Sequence, residues 1–157
     1  MMRDDMEKIV YSEADIKAKV AELGRQITED YKDAAETIYC VGILKGASVF
    51  YTDLVRQINL PVRFDFMIAS SYGNGTSTSG SVKILKDLDY DVEGKHLIII
   101  EDIIDSGTTM NYLLKYFKER KPKSVKLCSL LSKPSRRTTD VHIDYCGFEV
   151  PDEFLVG

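Results

Sequence analysis

LIIIEDIIDSGTTM, residues 97–110, sets four apolar residues against two adjacent carboxylates and closes on a turn of small residues. Glu101 and Asp102 form the acidic pair, Asp105 follows three residues later, and Ser106, Gly107, Thr108 and Thr109 make the turn. An apolar run bounded by turn residues reads as a buried parallel strand. Met110, Leu113, Leu114 and Phe117 then recur at helical spacing. A strand-to-helix turn of small residues is a natural phosphate cradle: backbone N–H groups converge, the helix N-terminus adds partial positive charge, and hydroxyls supply further donors. Helix capping accounts for one such polar residue. Three acids at the carboxyl end of a strand this apolar point instead to the place where open α/β sheets take ligands. Beside a phosphate, Glu101 and Asp102 suit a cationic or diol-bearing group, so a sugar phosphate fits both halves of the segment.

Outward from this segment the pattern is one of strands alternating with helices. Ser12 and Asp15 match a capping box, and Ile16, Val20, Leu23, Ile27 and Tyr31 keep helical spacing, predicting a helix over 13–32. Residues 37–44 are apolar and β-rich; a helix is expected over 47–57 and a strand over 62–69. Residues 70–81, dominated by Ser, Gly and Thr, read as a mobile loop, with strands expected at 82–88, 96–101, 125–131 and 145–148 and a helix at 109–120. This alternation implies a parallel α/β sheet flanked by helices in a single domain over 1–157.

At 157 residues the chain is long enough to bury a core unaided. Its net charge of −4 argues against a nucleic-acid partner held by phosphate neutralisation, and only Lys133, Arg136 and Arg137 make a local basic patch. Cys40, Cys128 and Cys146 are odd in number, widely spaced and set among apolar residues, as expected of buried thiols in a reducing compartment. No stretch approaches the roughly 20 apolar residues of a membrane span, and the charged N-terminus lacks a signal-peptide core, so a cytoplasmic location is expected. His96 and His142 have no metal partner in reach and read as structural, and the charged run 118–123 reads as a solvated helix end.

Residues 97–110 resemble the phosphoribosyl-pyrophosphate signature of type I phosphoribosyltransferases, in the form seen in hypoxanthine-guanine phosphoribosyltransferases. Ile43-Leu44-Lys45-Gly46, Ser70-Ser71-Tyr72-Gly73, the segment 130–133 and Gly147-Phe148-Glu149-Val150-Pro151-Asp152 resemble further family segments, in family order. The resemblance implies the family's parallel sheet with a small hood and a mobile lid. It also implies transfer of a phosphoribosyl group to an oxopurine base, hypoxanthine or guanine, with Mg²⁺ as cofactor and a homodimeric or homotetrameric assembly.

By that resemblance, Asp105, Ser106, Gly107, Thr108 and Thr109 would hold the 5′-phosphate. Glu101 and Asp102 would take the ribose hydroxyls and help place Mg²⁺, which keeps much of its hydration and favours substrate phosphates. Asp105 would be the general base. Leu44, Lys45 and Gly46 would bind pyrophosphate across a cis Leu44–Lys45 peptide, and Ser71 and Tyr72 would belong to the lid, whose closing would shield the reacting centre from water. Lys133 would hydrogen-bond the purine 6-oxo group and so disfavour adenine, whose 6-amino group is itself a donor. Phe154 would stack on the base, and the backbone of Leu155 would meet its edge. Family members continue for some twenty residues past the position of Gly157, and that part would carry one more aspartate and one arginine of the site.

Two readings from other classes compete. A regulatory RNA-binding module on the same fold is disfavoured by the acidic charge and by the intact lysine-glycine turn, aspartate and lid. An aspartyl-phosphate phosphatase requires its two aspartates two positions apart, whereas Asp102 and Asp105 are three apart. A xanthine- or pyrimidine-specific transferase remains open.

Overall fold

The computed structural model describes residues 8–34, 36–72 and 81–156. Helix α1 (Glu13–Tyr31) starts on the expected capping box: Ser12 Oγ accepts from the Asp15 N–H and Asp15 Oδ2 from the Ser12 N–H, both at 3.1 Å. Strand β1 (Ile38–Leu44) leads into α2 (Ser48–Val55), then β2 (Val62–Tyr72), β3 (Ser81–Lys86), β4 (His96–Ile104), α3 (Thr108–Lys118), β5 (Ser124–Ser132) and β6 (Tyr145–Glu149). A single 3₁₀ turn, Pro134–Arg136, follows β5. The strands form one sheet in the order β3-β2-β1-β4-β5-β6, parallel except for β3, which runs antiparallel to β2.

Both faces of the sheet are covered, which is why its central strands are apolar at successive positions rather than at alternate ones. On one side, Ile38, Cys40, Ile98, Ile100 and Cys128 pack with Leu23 and Ile27 of α1 and Phe50, Tyr51 and Leu54 of α2. On the other, Val41, Ile43, Leu97, Ile99 and Leu127 pack with Met110, Leu113 and Phe117 of α3. Leu97, Ile98, Ile99 and Ile100 are all fully buried, each contributing about 1.5–3 kcal/mol by removal from water.

The topology creates the crevice. From β1 the chain winds outward to β2 and β3, then returns to the opposite side of β1 as β4, so β1 and β4 flank a switch point. Their ladder stops at Gly42 and Ile100, whereas β4 and β5 stay paired as far as Ile104 and Ser132. The carboxyl ends of β1 and β4 therefore diverge.

Two expectations need correction. The signature strand does not end at Glu101: pairing with β5 carries it to Ile104, so Glu101 and Asp102 lie within the strand and only Asp105 lies beyond it. Residues 70–72 and 81 are not loop, because Ser70, Ser71 and Tyr72 pair antiparallel with Lys83, Val82 and Ser81; the rest of the expected lid lies outside the described residues. The expected parallel sheet flanked by helices is present, with β3 alone running antiparallel to its neighbour β2. No helix of the described residues is long and apolar enough to cross a membrane.

Candidate active site

Because β2, β1, β4, β5 and β6 are parallel, the expected site residues converge on one edge of the sheet, past the carboxyl ends of these strands. Leu44 ends β1, Lys45 and Gly46 follow it directly, and the Leu44–Lys45 peptide bond is cis. Gly46 lies against Asp102: a Cβ built on it would stand 2.6 Å from Asp102 Oδ2. The lysine-glycine turn and the acidic pair thus form opposite walls of the diverging crevice. Only a residue without a side chain allows that approach.

Within β4, Glu101 Oε1 accepts the Asp102 N–H at 2.9 Å and Asp102 Oδ1 accepts the Ile103 N–H at 2.8 Å. Burial, reinforced by the hydrogen bond and negative charge of Asp102, pushes the Glu101 carboxyl up to about 9. Two adjacent carboxyls in a partly buried site cannot both be charged without cost. The pair is therefore short of positive charge, the condition that a divalent cation or a set of hydroxyl donors relieves. Among the described residues no cluster of three or more His, Cys, Asp or Glu is placed to hold a metal on its own.

Beyond β4 the chain turns at Gly107, whose φ of +83° is the left-handed conformation that glycine adopts without penalty, and α3 begins at Thr108. The Ser106 hydroxyl donates to Thr108 Oγ1 and accepts the Thr108 N–H, both at 3.3 Å. The turn sits at the N-terminus of an 11-residue helix that buries Met110, Leu113 and Phe117, so its amides stand on a rigid base. Asp105 lies just past the end of β4 with its side chain about half exposed.

Lys133 follows β5. Its N–H donates to the Ile104 carbonyl at 3.0 Å, which joins the ends of β4 and β5, and its ammonium lies 3.7 Å from Asp105 Oδ1. The lysine side chain is only 11% exposed, so the carboxylate of Asp105 is its nearest compensation. Phe154 stands apart: at 92% exposure it belongs to no core. The extended segment carrying Phe154 and Leu155 is tied down by ion pairs from Arg136 to Asp152 at 3.7 Å and from Lys8 to Glu153 at 3.1 Å. Ser71 is exposed at the end of β2, and Tyr72 closes that strand.

The residues read as structural behave so. His96 Nδ1 shares a 2.6 Å hydrogen bond with Ser124 Oγ, and His142 pairs with Asp144 at 3.3 Å on the surface. Burial raises the Cys40 thiol to about 12 and raises that of Cys128 as well, so neither is a nucleophile near neutrality. The run 118–123 is more than a solvated helix end, since Arg120 is hydrogen-bonded to both Asp87 and Tyr116. An open cleft lined by Tyr90, Glu93, Arg120 and Lys121 lies at the amino ends of the strands, opposite the crevice.

Sequence reasoning missed the loop 137–139. Thr138 and Thr139 both donate their N–H to the Ser106 carbonyl, and Thr139 Oγ1 lies 3.3 Å from Thr108 Oγ1. No spacing rule points to these residues, because they meet the turn only through the fold.

The sequence model of the phosphoribosyl transferase domain matches residues 8–157. The chain is 53% identical to the hypoxanthine phosphoribosyltransferase of Salmonella typhimurium over 150 residues, 96% of this chain and 84% of that protein. It is 52% identical to the hypoxanthine-guanine phosphoribosyltransferase of Bacillus subtilis over 157 residues, 100% of this chain and 86% of that protein. Among solved structures, a hypoxanthine-guanine phosphoribosyltransferase from Bacillus anthracis superposes with a TM-score of 0.90 at 47% identity, covering 95% of this chain and 86% of that one. A hypoxanthine phosphoribosyltransferase from Staphylococcus aureus superposes at 0.93 and 41% identity, covering 98% and 82%.

Proposed function

The chain belongs to the phosphoribosyltransferase family, and from that premise we propose that it joins hypoxanthine or guanine to the ribosyl group of phosphoribosyl pyrophosphate, forming IMP or GMP and releasing pyrophosphate. The observation that carries the choice of base is the Lys133–Asp105 pair, 3.7 Å apart at the ends of adjacent strands. An oxopurine protonated at N7 presents an acceptor, O6, beside a donor, the N7–H. An ammonium next to a carboxylate complements that edge: Lys133 donates to O6 and Asp105 accepts from N7. Adenine would set its 6-amino donor against the lysine.

The same pairing supplies the proton path. With its proton on N7, the base carries a free lone pair on N9. As N9 bonds to the anomeric carbon, the bond from that carbon to pyrophosphate breaks and the N7 proton passes to Asp105, leaving a neutral purine. A general base so placed contributes roughly 10²–10⁴ in rate.

The turn from Asp105 to Thr109 holds the 5′-phosphate through its amides and hydroxyls, supported by the left-handed Gly107 and the amino end of α3. Glu101 and Asp102 accept the ribose hydroxyls. Their charge-poor pairing fits Mg²⁺ arriving with its diphosphate and keeping several waters, rather than an ion caged by protein alone. When bound, that ion would neutralise charge on the departing pyrophosphate. Lys45 and Gly46 face the same leaving group from β1. The high exposure of Phe154 leaves its ring free to stack on the base, with Leu155 alongside. Ser71 and Tyr72, at the end of β2, complete the set of residues assigned to the site.

The test is one assay. Purified protein with Mg²⁺ and phosphoribosyl pyrophosphate is offered each nucleobase in turn, and turnover is expected with hypoxanthine or guanine, with adenine and uracil at least about tenfold slower. Equal use of adenine would sink the assignment of Lys133, and no turnover with any base would sink the reaction.

A further inference from the structure

Resting on the reading above, we propose that Arg137 is a positioning residue that orients the phosphate turn toward the 5′-phosphate of the ribosyl donor, acting through the loop 137–139. The Ser106 carbonyl accepts two amides from that loop, Thr138 N–H at 3.0 Å and Thr139 N–H at 3.1 Å. A trans peptide is planar, with its carbonyl and N–H on opposite sides. Holding the Ser106 carbonyl against the loop therefore turns the Gly107 N–H the other way. It also keeps an oxygen that would repel phosphate out of the cradle. The hydroxyls of Thr108 and Thr139, 3.3 Å apart, add a second tie between loop and turn.

The loop packs directly behind the turn. A Cβ built on Gly107 would stand 2.7 Å from the Thr139 carbonyl oxygen and 3.1 Å from Arg137 Cδ. The arginine stem thus lies against the back of the turn while its head reaches elsewhere. Arg137 Nη2 donates to Ser132 Oγ at 2.6 Å, and Ser132 is itself buried at the end of β5, its carbonyl accepting the Val150 N–H at 2.8 Å. Arg137 Nε is buried with no hydrogen-bond partner among the described residues. A half-buried guanidinium whose Nε is withdrawn from water and unmatched is a poor choice for general stability. It is a good one for fixing a loop to a strand end. Lys133, next in the chain, is held separately by its own N–H bond to the Ile104 carbonyl at 3.0 Å, so the anchor through Ser132 acts on the phosphate turn and not on the base-facing lysine.

The test uses the full chain, with steady-state kinetics and calorimetric titration of ribose 5-phosphate. Arg137→Met keeps the apolar stem and deletes the donor, and Ser132→Ala deletes the acceptor. Each is expected to raise KM for phosphoribosyl pyrophosphate and Kd for ribose 5-phosphate about tenfold, with kcat and KM for the base within about twofold. The double variant is expected to be no worse than either single one, because both remove the same bond. Arg137→Lys, which keeps a donor on a flexible stem, should recover part of the loss. Unchanged KM for the ribosyl donor in both single variants would overturn the proposal. So would equal losses for donor and base, which mark a general loosening. If Arg137→Met fails to fold, the Ser132→Ala titration decides alone. A wild-type protein that binds ribose 5-phosphate yet turns over no base would remove the reaction while leaving the Kd comparison to judge Arg137.

Discussion

Gly46 shows how much of the crevice rests on an absent side chain. Its backbone stands so close to Asp102 that an added methyl would overlap the carboxylate, at 2.6 Å from Oδ2 and 3.0 Å from Cγ. The overlap is with the end of a side chain, so Gly46→Ala is relieved by rotation of Asp102 at little cost to the fold. The price falls on the site, because Asp102 then gives up its 2.8 Å bond from the Ile103 N–H and its place opposite the β1 turn. We expect the melting temperature to change by less than about 3 °C, the equivalent of ~1 kcal/mol for a chain of this size. KM for phosphoribosyl pyrophosphate should rise about tenfold, equivalent to ~1.4 kcal/mol of lost binding. A variant with native KM would show that Asp102 is not held where donor binding requires it.

Between elements, Asp87 links the connection after β3 to α3. Its carboxylate accepts from the Tyr116 hydroxyl, from Arg120 Nη2 at 2.5 Å and from the Leu88 N–H at 2.7 Å. Burial would raise its carboxyl, but the Tyr116 and Leu88 hydrogen bonds and the Arg120 charge outweigh that and hold it below the ordinary 3.8. A carboxylate with a depressed folded value adds stability above its unfolded value, and loses it as pH falls through the folded one. With a 40% exposed side chain the contribution is small, roughly 1 kcal/mol or less. Asp87→Asn should therefore lower the melting temperature by about 2–4 °C at pH 7, with the gap to wild type closing below the ordinary carboxylate range. A gap that persists in acid would assign the loss to packing instead. This link was not legible in the sequence. Asp87 and Tyr116 are joined by no periodicity, and the run 118–123 looks merely solvated until α3 is seen to lie alongside β3.

For the molecule as a whole, the crevice at the switch point costs stability. Glu101, with its carboxyl raised to about 9 by burial and by Asp102, favours the protonated form when folded, whereas the unfolded glutamate ionises near 4.5. Folding stability thus falls as pH rises from about 4.5, by up to ~1.4 kcal/mol per pH unit, and levels off once past the folded value. In metal-free, ligand-free protein, Glu101→Gln is expected to raise the melting temperature at pH 8, leave it unchanged at pH 4, and weaken donor binding. Such an exchange of stability for function is common at binding sites. Equal melting temperatures at pH 8 would mean that the native Glu101 is already compensated.

Local chemistry determined the elements. The unbroken apolar run Leu97–Ile100 encodes a strand covered on both faces, Ser12 and Asp15 encode the start of α1, and the small residues 106–109 encode the turn that opens α3, because each depends on neighbours within a few positions. Tertiary structure decided what meets what. The extension of β4 to Ile104 follows from pairing with β5, the contact of Gly46 with Asp102 from the divergence of β1 and β4, the Lys133–Asp105 pair from the alignment of two strand ends, and the grip of the 137–139 loop on Ser106 from packing behind the turn. These contacts join residues far apart along the chain. Their geometry is set by strand register and by burial across the whole sheet, neither of which is written in any short window.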